Sequence, residues 1–179
     1  MRNTQILTIS GSLRNKSSNT AVLQAIEILV PAIDITLYSE LANILHFNPD
    51  LDCKPLPNSI LSLRQQIKSC DGILISSPEY AHGVPGSLKN LLDWLVSSVE
   101  FPGKPVALIN TNPRATIALA SLKEILITMS AQIIEPANIT LAIAGRNLNA
   151  RDIAADSELS TSLRKAIAIV TQALIQDKR

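Results

Sequence analysis

The sequence has few of the residues on which disulfide-bonded, metal-binding or membrane-spanning proteins depend. Its 179 residues include two cysteines and two histidines, too few for a disulfide framework and not spaced as metal ligands are. The longest unbroken apolar run, 166–170, is too short to span a bilayer. Residues 1–10 lack the plan of a secretory signal peptide. We therefore expect a cytoplasmic protein with no metal site and no membrane insertion.

Neither sign of charge is in excess. Sixteen Lys and Arg residues stand against fifteen Asp and Glu residues, which gives a net charge of +1. Nucleic-acid-binding proteins typically carry a basic block, and small carriers that dock on basic partners carry an acidic excess. The sequence has neither, so we expect no nucleic-acid partner. Its length and its 46% of apolar residues predict a single domain, 1–179.

Apolar segments of two kinds alternate along the chain and predict an α/β fold. Short apolar runs predict strands at 5–10, 33–37, 72–76, 106–110 and 131–134, with 139–144 as an extended tail to the last. Longer segments of helical period predict helices at 21–29, 60–67, 87–95, 116–129 and 159–174. This alternation favours a mostly parallel sheet with helices on both faces, whose ligands bind beyond the carboxyl ends of the strands.

The segment 39–58 interrupts this alternation. It contains three prolines and little periodicity, which predicts a long surface excursion. The sequence leaves open whether this excursion is a lid or a segment that packs on a partner subunit.

The loop after the first strand contains many hydrogen-bond donors and no acid. Residues 10–20 read Ser-Gly-Ser-Leu-Arg-Asn-Lys-Ser-Ser-Asn-Thr, and the first acid is Glu27. A helix ordinarily begins with Asp or Glu in its first turn, because the N-terminal end of the helix dipole is positive. The missing acid, the hydroxyls and Arg14 predict a site for an external anion such as a phosphate monoester. The alternative is that these residues only form a turn and cap the helix.

The loop after the third strand combines rigidity with an aromatic side chain. Residues 76–87 read Ser-Ser-Pro-Glu-Tyr-Ala-His-Gly-Val-Pro-Gly-Ser, so that two prolines and two glycines restrict the backbone. Tyr80 and the exposed amides of this loop suit a flat heteroaromatic ligand. Glu79 is a candidate general acid or base, with helix capping or ion pairing as the favoured alternative. His82 either orients a substrate or is a solvated loop residue, and Trp94 is expected in the core.

The loop after the fourth strand also lacks an acid. Residues 110–115 read Asn-Thr-Asn-Pro-Arg-Ala, and the next acid along the chain is Glu124. Three interpretations of Arg114 stay open at this point, since it can reach a ligand, a neighbouring subunit or only solvent.

Two long motifs together resemble the NADPH-dependent FMN reductase family. They are Gly-Ser-Leu-Arg-x-x-Ser-x-Asn after the first strand and Ser-Pro-Glu-Tyr-x-x-Gly-x-Pro-Gly-x-Leu-Lys-Asn-x-x-Asp-Trp after the third. The resemblance implies a flavodoxin-like three-layer sandwich, with a five-stranded parallel sheet of order 2-1-3-4-5. It also implies FMN as cofactor, NADPH or NADH as co-substrate, and a homodimer or homotetramer with the active site near a subunit interface.

The resemblance also assigns residues to the cofactor. The side chains that would hold the FMN phosphate are Ser12, Arg14, Ser17 and Asn19. The residues expected at the isoalloxazine ring are Pro78, Glu79 and Tyr80 beneath it and the backbone of Ala81, His82 and Gly83 at its pyrimidine edge. The chain departs from the family at Ala81, where many members have Asn, and at 112–115, where many have a Gly-rich loop.

The chemistry implied by the resemblance needs no catalytic side chain. NAD(P)H would deliver hydride to flavin N5 and leave, and a quinone, free flavin, chromate or azo compound would then be reduced in a ping-pong cycle. Two alternatives stay open. One is a flavodoxin-type electron carrier, and the other is a regulatory domain that binds flavin, or keeps only the fold, without turning over NAD(P)H.

Overall fold

The computed structural model describes residues 3–177, which contain six strands and six α-helices. The strands are β1 (Gln5–Ser10), β2 (Asp34–Leu37), β3 (Gly72–Ser76), β4 (Pro105–Asn110), β5 (Gln132–Ile133) and β6 (Ile139–Thr140). The helices are α1 (Ser18–Leu29), α2 (Asn58–Ser69), α3 (Gly86–Asp93), α4 (Thr116–Thr128), α5 (Ala150–Ala155) and α6 (Ser157–Asp177). Single turns of 3₁₀ helix occur at Leu41–Asn43, Pro49–Leu51 and Glu135–Ala137.

The strands form one parallel sheet of order β2-β1-β3-β4-β5, which confirms the predicted order. The predicted count of five strands is wrong, because the expected tail of the last strand is a separate strand, β6. Both β5 and β6 pair with β4, β5 at its beginning and β6 at its end. Between them the side chain of Asn138 replaces a strand, since its Oδ1 accepts the Leu108 N–H at 2.7 Å.

Helices cover both faces of the sheet and create two apolar clusters. Leu7 and Ile9 of β1 pack in the cluster that contains α2, α3 and α4, whereas Ile6 packs with α1, α5 and α6. This alternation follows from the two-residue period of a strand, which points successive side chains to opposite faces. Burying each large aliphatic side chain contributes about 1.5–3 kcal/mol to folding. The three-layer arrangement is therefore confirmed.

One short helix, α5, was missed by the sequence analysis. The Asn149 side chain accepts the N–H groups of Arg151 and Asp152, and the Asp152 carboxylate accepts the Asn149 N–H in return. This reciprocal arrangement is a capping box, and Asn149 with Asp152 three residues later was its signal in the sequence. The helix α6 follows after Asp156, whose carboxylate accepts the N–H groups of Glu158 and Leu159.

The predicted excursion 39–58, whose last residue is the first of α2, packs on α3 of its own chain. The Leu45 carbonyl oxygen accepts both the Trp94 indole N–H (2.7 Å) and an Asn90 amide N–H (2.9 Å). Asn90 Oδ1 accepts the Phe47 N–H at 2.7 Å, and the rings of Phe47 and Trp94 meet edge to face with centroids 5.1 Å apart. Trp94 is fully buried, which confirms its predicted place in the core.

Asn90 is expected to be the main anchor of the excursion. Asn90→Ala removes two hydrogen bonds and leaves the Phe47 N–H without its partner, so we expect a loss of about 1–3 kcal/mol in the free energy of unfolding. The measurement is urea unfolding, with Asn43→Ala as control, because Asn43 lies in the same excursion and its side chain donates to exposed Glu40, its one side-chain partner within residues 3–177. Equal stability of the two variants would contradict the anchoring role.

Candidate functional site

The loops after β1, β3 and β4 meet at the carboxyl edge of the sheet. The Gly11 N–H donates to the Ser76 carbonyl oxygen at 2.8 Å. A Cβ on Gly11 would lie 2.6 Å from Ser77 Oγ, so the first two loops approach too closely there for a side chain. The Thr111 hydroxyl, just after β4, donates to Asn19 Oδ1 at 3.1 Å. The predicted convergence of these three loops is thus present.

The loop between β1 and α1 pairs only some of its own backbone donors. The Ser12 N–H lies 3.3 Å from Ser10 Oγ, and the Arg14 N–H lies 3.3 Å from Ser12 Oγ. Ser17 caps α1, since its hydroxyl accepts the Thr20 N–H at 3.4 Å. Within residues 3–177, no acceptor is found for the N–H groups of Leu13, Asn15, Lys16, Ser17, Ser18 and Asn19. The loop is therefore not closed on itself.

The four predicted phosphate ligands lie in three different settings. Ser12 and Ser17 are buried, and each hydroxyl that accepts a bond here keeps its hydrogen for a further acceptor. Arg14 is exposed and forms no ion pair with any described residue. Asn19 is buried, and its Oδ1 lies 2.9 Å from the hydroxyl of Ser76 and 3.1 Å from that of Thr111. The Asn19 side chain therefore links α1 to the ends of β3 and β4.

The loop after β3 contains a two-residue turn in an unusual backbone conformation. The Tyr80 N–H donates to the Gly83 carbonyl oxygen at 3.1 Å, and the Gly83 N–H donates to the Tyr80 carbonyl oxygen at 2.9 Å. Ala81 and His82 between them have φ of +50° and +59°. Two successive positive φ values in a two-residue loop define a type I′ turn, in which Asn-Gly is the usual pair. Alanine and histidine are strained there because of their Cβ atoms.

This turn presents two neighbouring backbone donors. The Gly83 N–H is used inside the turn, so Gly83 itself has no N–H left for a ligand. The N–H groups of Ala81 and His82 have no acceptor within the described residues. Tyr80 is 50% exposed, and Pro78 is partly buried. The turn thus combines adjacent donors with an accessible aromatic side chain, as a planar ligand with polar edges requires.

The Glu79 carboxylate contacts two different segments. Its Oε2 accepts the Ala118 N–H in the first turn of α4 at 2.8 Å, and its Oε1 lies 3.1 Å from His82 Nδ1. The hydrogen bond from Ala118, more than the contact with His82, lowers the pKa of the Glu79 carboxyl below its ordinary value. An anion held at a helix N-terminus is stabilised by the helix dipole. The geometry favours the capping interpretation over general acid-base catalysis.

The loop after β4 is held by amide side chains. Asn110 Nδ2 donates to the Asn112 carbonyl oxygen at 2.9 Å, and Asn110 Oδ1 accepts the Asn112 N–H at 3.1 Å. Asn112 Oδ1 in turn accepts the Arg114 N–H at 3.1 Å. The Arg114 side chain is exposed and has no ion-pair partner among residues 3–177. The three interpretations of Arg114 from the sequence, namely contact with a ligand, with a neighbouring subunit or with solvent only, therefore stay predictions.

A fourth loop at this edge, 141–149, was not identified from the sequence. The N–H groups of Ile143 and Ala144 donate to the Thr111 carbonyl oxygen at 3.2 and 3.0 Å, which brings the segment after β6 against the loop after β4. Its local signals were Gly145 and Asn147, which have φ of +81° and +53°. The contact depends on β6 pairing with β4, which the sequence analysis did not predict.

Residues 3–177 contain no group of side chains suited to a metal ion and no helix suited to span a membrane. No three His, Cys, Asp or Glu side chains there are grouped closely enough to hold a metal ion. In the same part of the chain, no helix combines the length and the apolar character needed to cross a bilayer.

Known proteins resemble this chain in sequence and in fold. A family model described as NADPH-dependent FMN reductase matches residues 4–145. An NAD(P)H-dependent FMN reductase of Pseudomonas aeruginosa is 37% identical over 111 residues, 60% of each chain. A quinone reductase of Escherichia coli K12 is 34% identical over 137 residues, 72% of each chain. The NAD(P)H:(acceptor) oxidoreductase of Paracoccus denitrificans, a flavoenzyme, superimposes with a TM-score of 0.72 at 24% identity, over 94% of this chain and 98% of its own.

The fold and the matched residues define a class. The structure is a flavodoxin-like α/β sandwich, and the family model covers most of the chain and all four loops of the carboxyl edge except the end of the last. The chain belongs to the NADPH-dependent FMN reductase family, which confirms the resemblance found in the sequence. The matched stretch spans 60% of the length of the Pseudomonas relative, so the activity of this chain is a matter for proposal.

The strain in the turn Tyr80–Gly83 is expected to be measurable. Asn tolerates the left-handed region better than Ala does, so Ala81→Asn should raise the free energy of unfolding by about 0.5–1 kcal/mol, part of the penalty that L residues carry there. Denaturant unfolding measures the change. The control is Ala42→Asn, since Ala42 is exposed and does not have a positive φ. A gain in the control equal to that at residue 81 would contradict the strain.

Proposed function

We propose that this chain is an NAD(P)H-dependent FMN oxidoreductase that reduces a small acceptor such as a quinone, free flavin, chromate or an azo compound. Membership of the NADPH-dependent FMN reductase family supports the cofactor and the reaction class. The names of the Pseudomonas and Escherichia relatives support NAD(P)H as donor, FMN as cofactor and a quinone as one possible acceptor.

The observation that carries the proposal is the unpaired donor set at the start of α1. A phosphate monoester brings three oxygens and close to two negative charges, and it needs several donors with no acid nearby. The loop supplies buried hydroxyls at Ser12 and Ser17, N–H groups from Ser17 to Asn19 that have no acceptor within residues 3–177, and the Arg14 guanidinium, which has no ion-pair partner there. The first turn of α1 contains no acid. These residues fit the phosphate of FMN.

The second loop fits the ring. The donors of Ala81 and His82 can bind the oxygen and nitrogen acceptors at the pyrimidine edge of an isoalloxazine, and Pro78 and Tyr80 offer apolar contact. When bound, the flavin supplies the chemistry of accepting a hydride from a nicotinamide and giving it to an acceptor. Backbone donors fixed at the pyrimidine edge stabilise negative charge there, because they need no reorganisation.

We also propose that the nicotinamide nucleotide and the acceptor use the same side of the site in turn, which is a ping-pong order. Tyr80 is half-exposed and His82 is exposed, so the turn is accessible to a ligand from solvent. Parallel lines in double-reciprocal plots with NADPH and a quinone would support this order, whereas intersecting lines would contradict it. The homo-oligomeric state and the cytoplasmic location expected above stay predictions.

One series of absorption spectra, taken after adding FMN, a nicotinamide nucleotide and a quinone, distinguishes the proposed function from its alternatives. The purified protein, with FMN added, should oxidise NADPH or NADH in the presence of a quinone, and its visible absorption should shift on binding FMN. A flavodoxin-type carrier would bind FMN without oxidising the nicotinamide, and a regulatory domain would show no turnover. The net charge of +1 is unlike the acidic surface of small carriers. Absence of both binding and turnover would contradict the proposal.

Arg14 is expected to contribute directly to FMN affinity. Arg14→Ala removes a charged donor and should weaken binding by about 1.5–3 kcal/mol, or about 10- to 150-fold in Kd. Fluorescence titration with FMN measures the change. Lys68→Ala is the matched control, because it also removes one exposed positive charge but from the last turn of α2. If both variants bind FMN like the wild type, the phosphate assignment is wrong.

A further inference from the structure

Helix α4 begins without a cap from its own segment. Ala115 stands at its N-cap position, where the methyl side chain can accept no hydrogen bond, and its first turn contains no acid. The first N–H groups of a helix have no partner within it, so they need an acceptor from elsewhere. Glu79 supplies one from a segment 39 residues away, since its Oε2 accepts the Ala118 N–H at 2.8 Å.

The same carboxylate reaches into the strained turn. Its Oε1 lies 3.1 Å from Nδ1 of His82, the second of the two residues with positive φ. The Glu79 side chain is 13% exposed, whereas that of His82 is 76% exposed. A largely buried anion with one oxygen on each segment restrains both of them. Residues in a strained conformation persist only where surrounding contacts hold them, and the two bonds between Tyr80 and Gly83 are the other such contacts here.

We propose that Glu79 is a positioning residue that fixes the turn Tyr80–Gly83 against the N-terminus of α4. This inference rests on the proposed function in one respect, which is that the N–H groups of Ala81 and His82 meet the flavin edge. Glu79 acts on that edge through the turn, so its effect on FMN is indirect. The loops after β3 and β4 thus form one rigid wall of the site.

Three substitutions separate the reach of the side chain from its charge. Glu79→Gln loses the charge but keeps an oxygen for the Ala118 N–H and an NH₂ group for neutral His82. Glu79→Asp keeps the charge but is one bond shorter, by roughly 1.5 Å, and cannot span both contacts. Glu79→Ala loses both. The matched control is Glu135→Ala, because Glu135 also joins α4 to a neighbouring segment, through an ion pair with Lys123.

The first readout is amide hydrogen exchange in the flavin-free protein, followed at Ala118, Tyr80 and Gly83. Glu79→Ala and Glu79→Asp should each speed exchange at these amides by about tenfold. In the wild type, local opening has to break the hydrogen bonds of Glu79, and in these variants that cost is reduced or absent. Glu79→Gln should stay within about twofold of the wild type, as should Glu135→Ala. His82→Ala, which removes only one contact, should affect Tyr80 and Gly83 but leave Ala118 protected.

The second readout is the Kd for FMN together with the absorption spectrum of bound flavin. The Ala and Asp variants should bind about tenfold more weakly with an altered spectrum, and the Gln variant should restore both. Thermal melts of each variant show whether it is folded at the assay temperature. An Asp variant that matches the wild type in exchange and affinity would overturn the inference, since charge alone would then suffice.

The two readouts distinguish this inference from the proposed function. If the wild-type protein does not bind FMN, the proposed function fails, while faster exchange in Glu79→Ala still supports the link between the turn and α4. If exchange at Ala118 and Gly83 is unchanged in Glu79→Ala, the positioning role is wrong whatever the wild type binds. Normal FMN affinity in Glu79→Ala despite faster exchange would also overturn it, because the turn would then not need fixing.

Discussion

The site depends on how the positive ends of two helices are compensated at one edge of a parallel sheet. Helix α4 receives the Glu79 carboxylate from the neighbouring loop. Helix α1 receives only the Ser17 hydroxyl, which leaves several N–H groups unpaired within residues 3–177. With Arg14 also unpaired, the loop of α1 is the part of this edge that an external anion can complete. The contrast arises because the Glu79 carboxylate lies where it bonds to α4 and does not reach α1.

Much of the fold was predictable because strands β1, β3 and β4 are buried on both faces and therefore appear as continuous apolar runs. The outer side of the sheet, where β5 and β6 pair with β4, was harder to predict. Asn138 Oδ1 accepts the Leu108 N–H where β5 has ended, so a side chain supplies the acceptor that a strand would otherwise provide. The expected fifth strand and its tail are therefore two separate strands, β5 and β6. That bond joins residues 30 apart, and no local pattern encodes it. The helix α5 was missed for a different reason, since it has only six residues and too few turns for a helical period.

The candidate site was predictable where it depends on residue type and less so where it depends on contacts between loops. The missing acid before Glu27 indicated unpaired donors, and the structure has them. Asn19 matched the family motif equally well, yet its side-chain oxygen lies between the hydroxyls of Ser76 and Thr111, which only the sheet brings together. The type I′ turn was not predicted, because Ala81 and His82 are not the Asn-Gly or Asp-Gly pair that indicates such a turn in a sequence.

The two halves of the site also differ in how much backbone strain they contain. In the loop of α1, Gly11 does not have a positive φ, and unpaired N–H groups at a helix end can be hydrated, so the donors are present without strain. In the turn after β3, Ala81 and His82 are in a disfavoured conformation. They are held there by the two hydrogen bonds between Tyr80 and Gly83 and by the Glu79 carboxylate. Changes in the first half should therefore alter affinity with little effect on stability. Changes in the turn should alter both, because the geometry that a planar ligand needs there exists only while the surrounding bonds hold it.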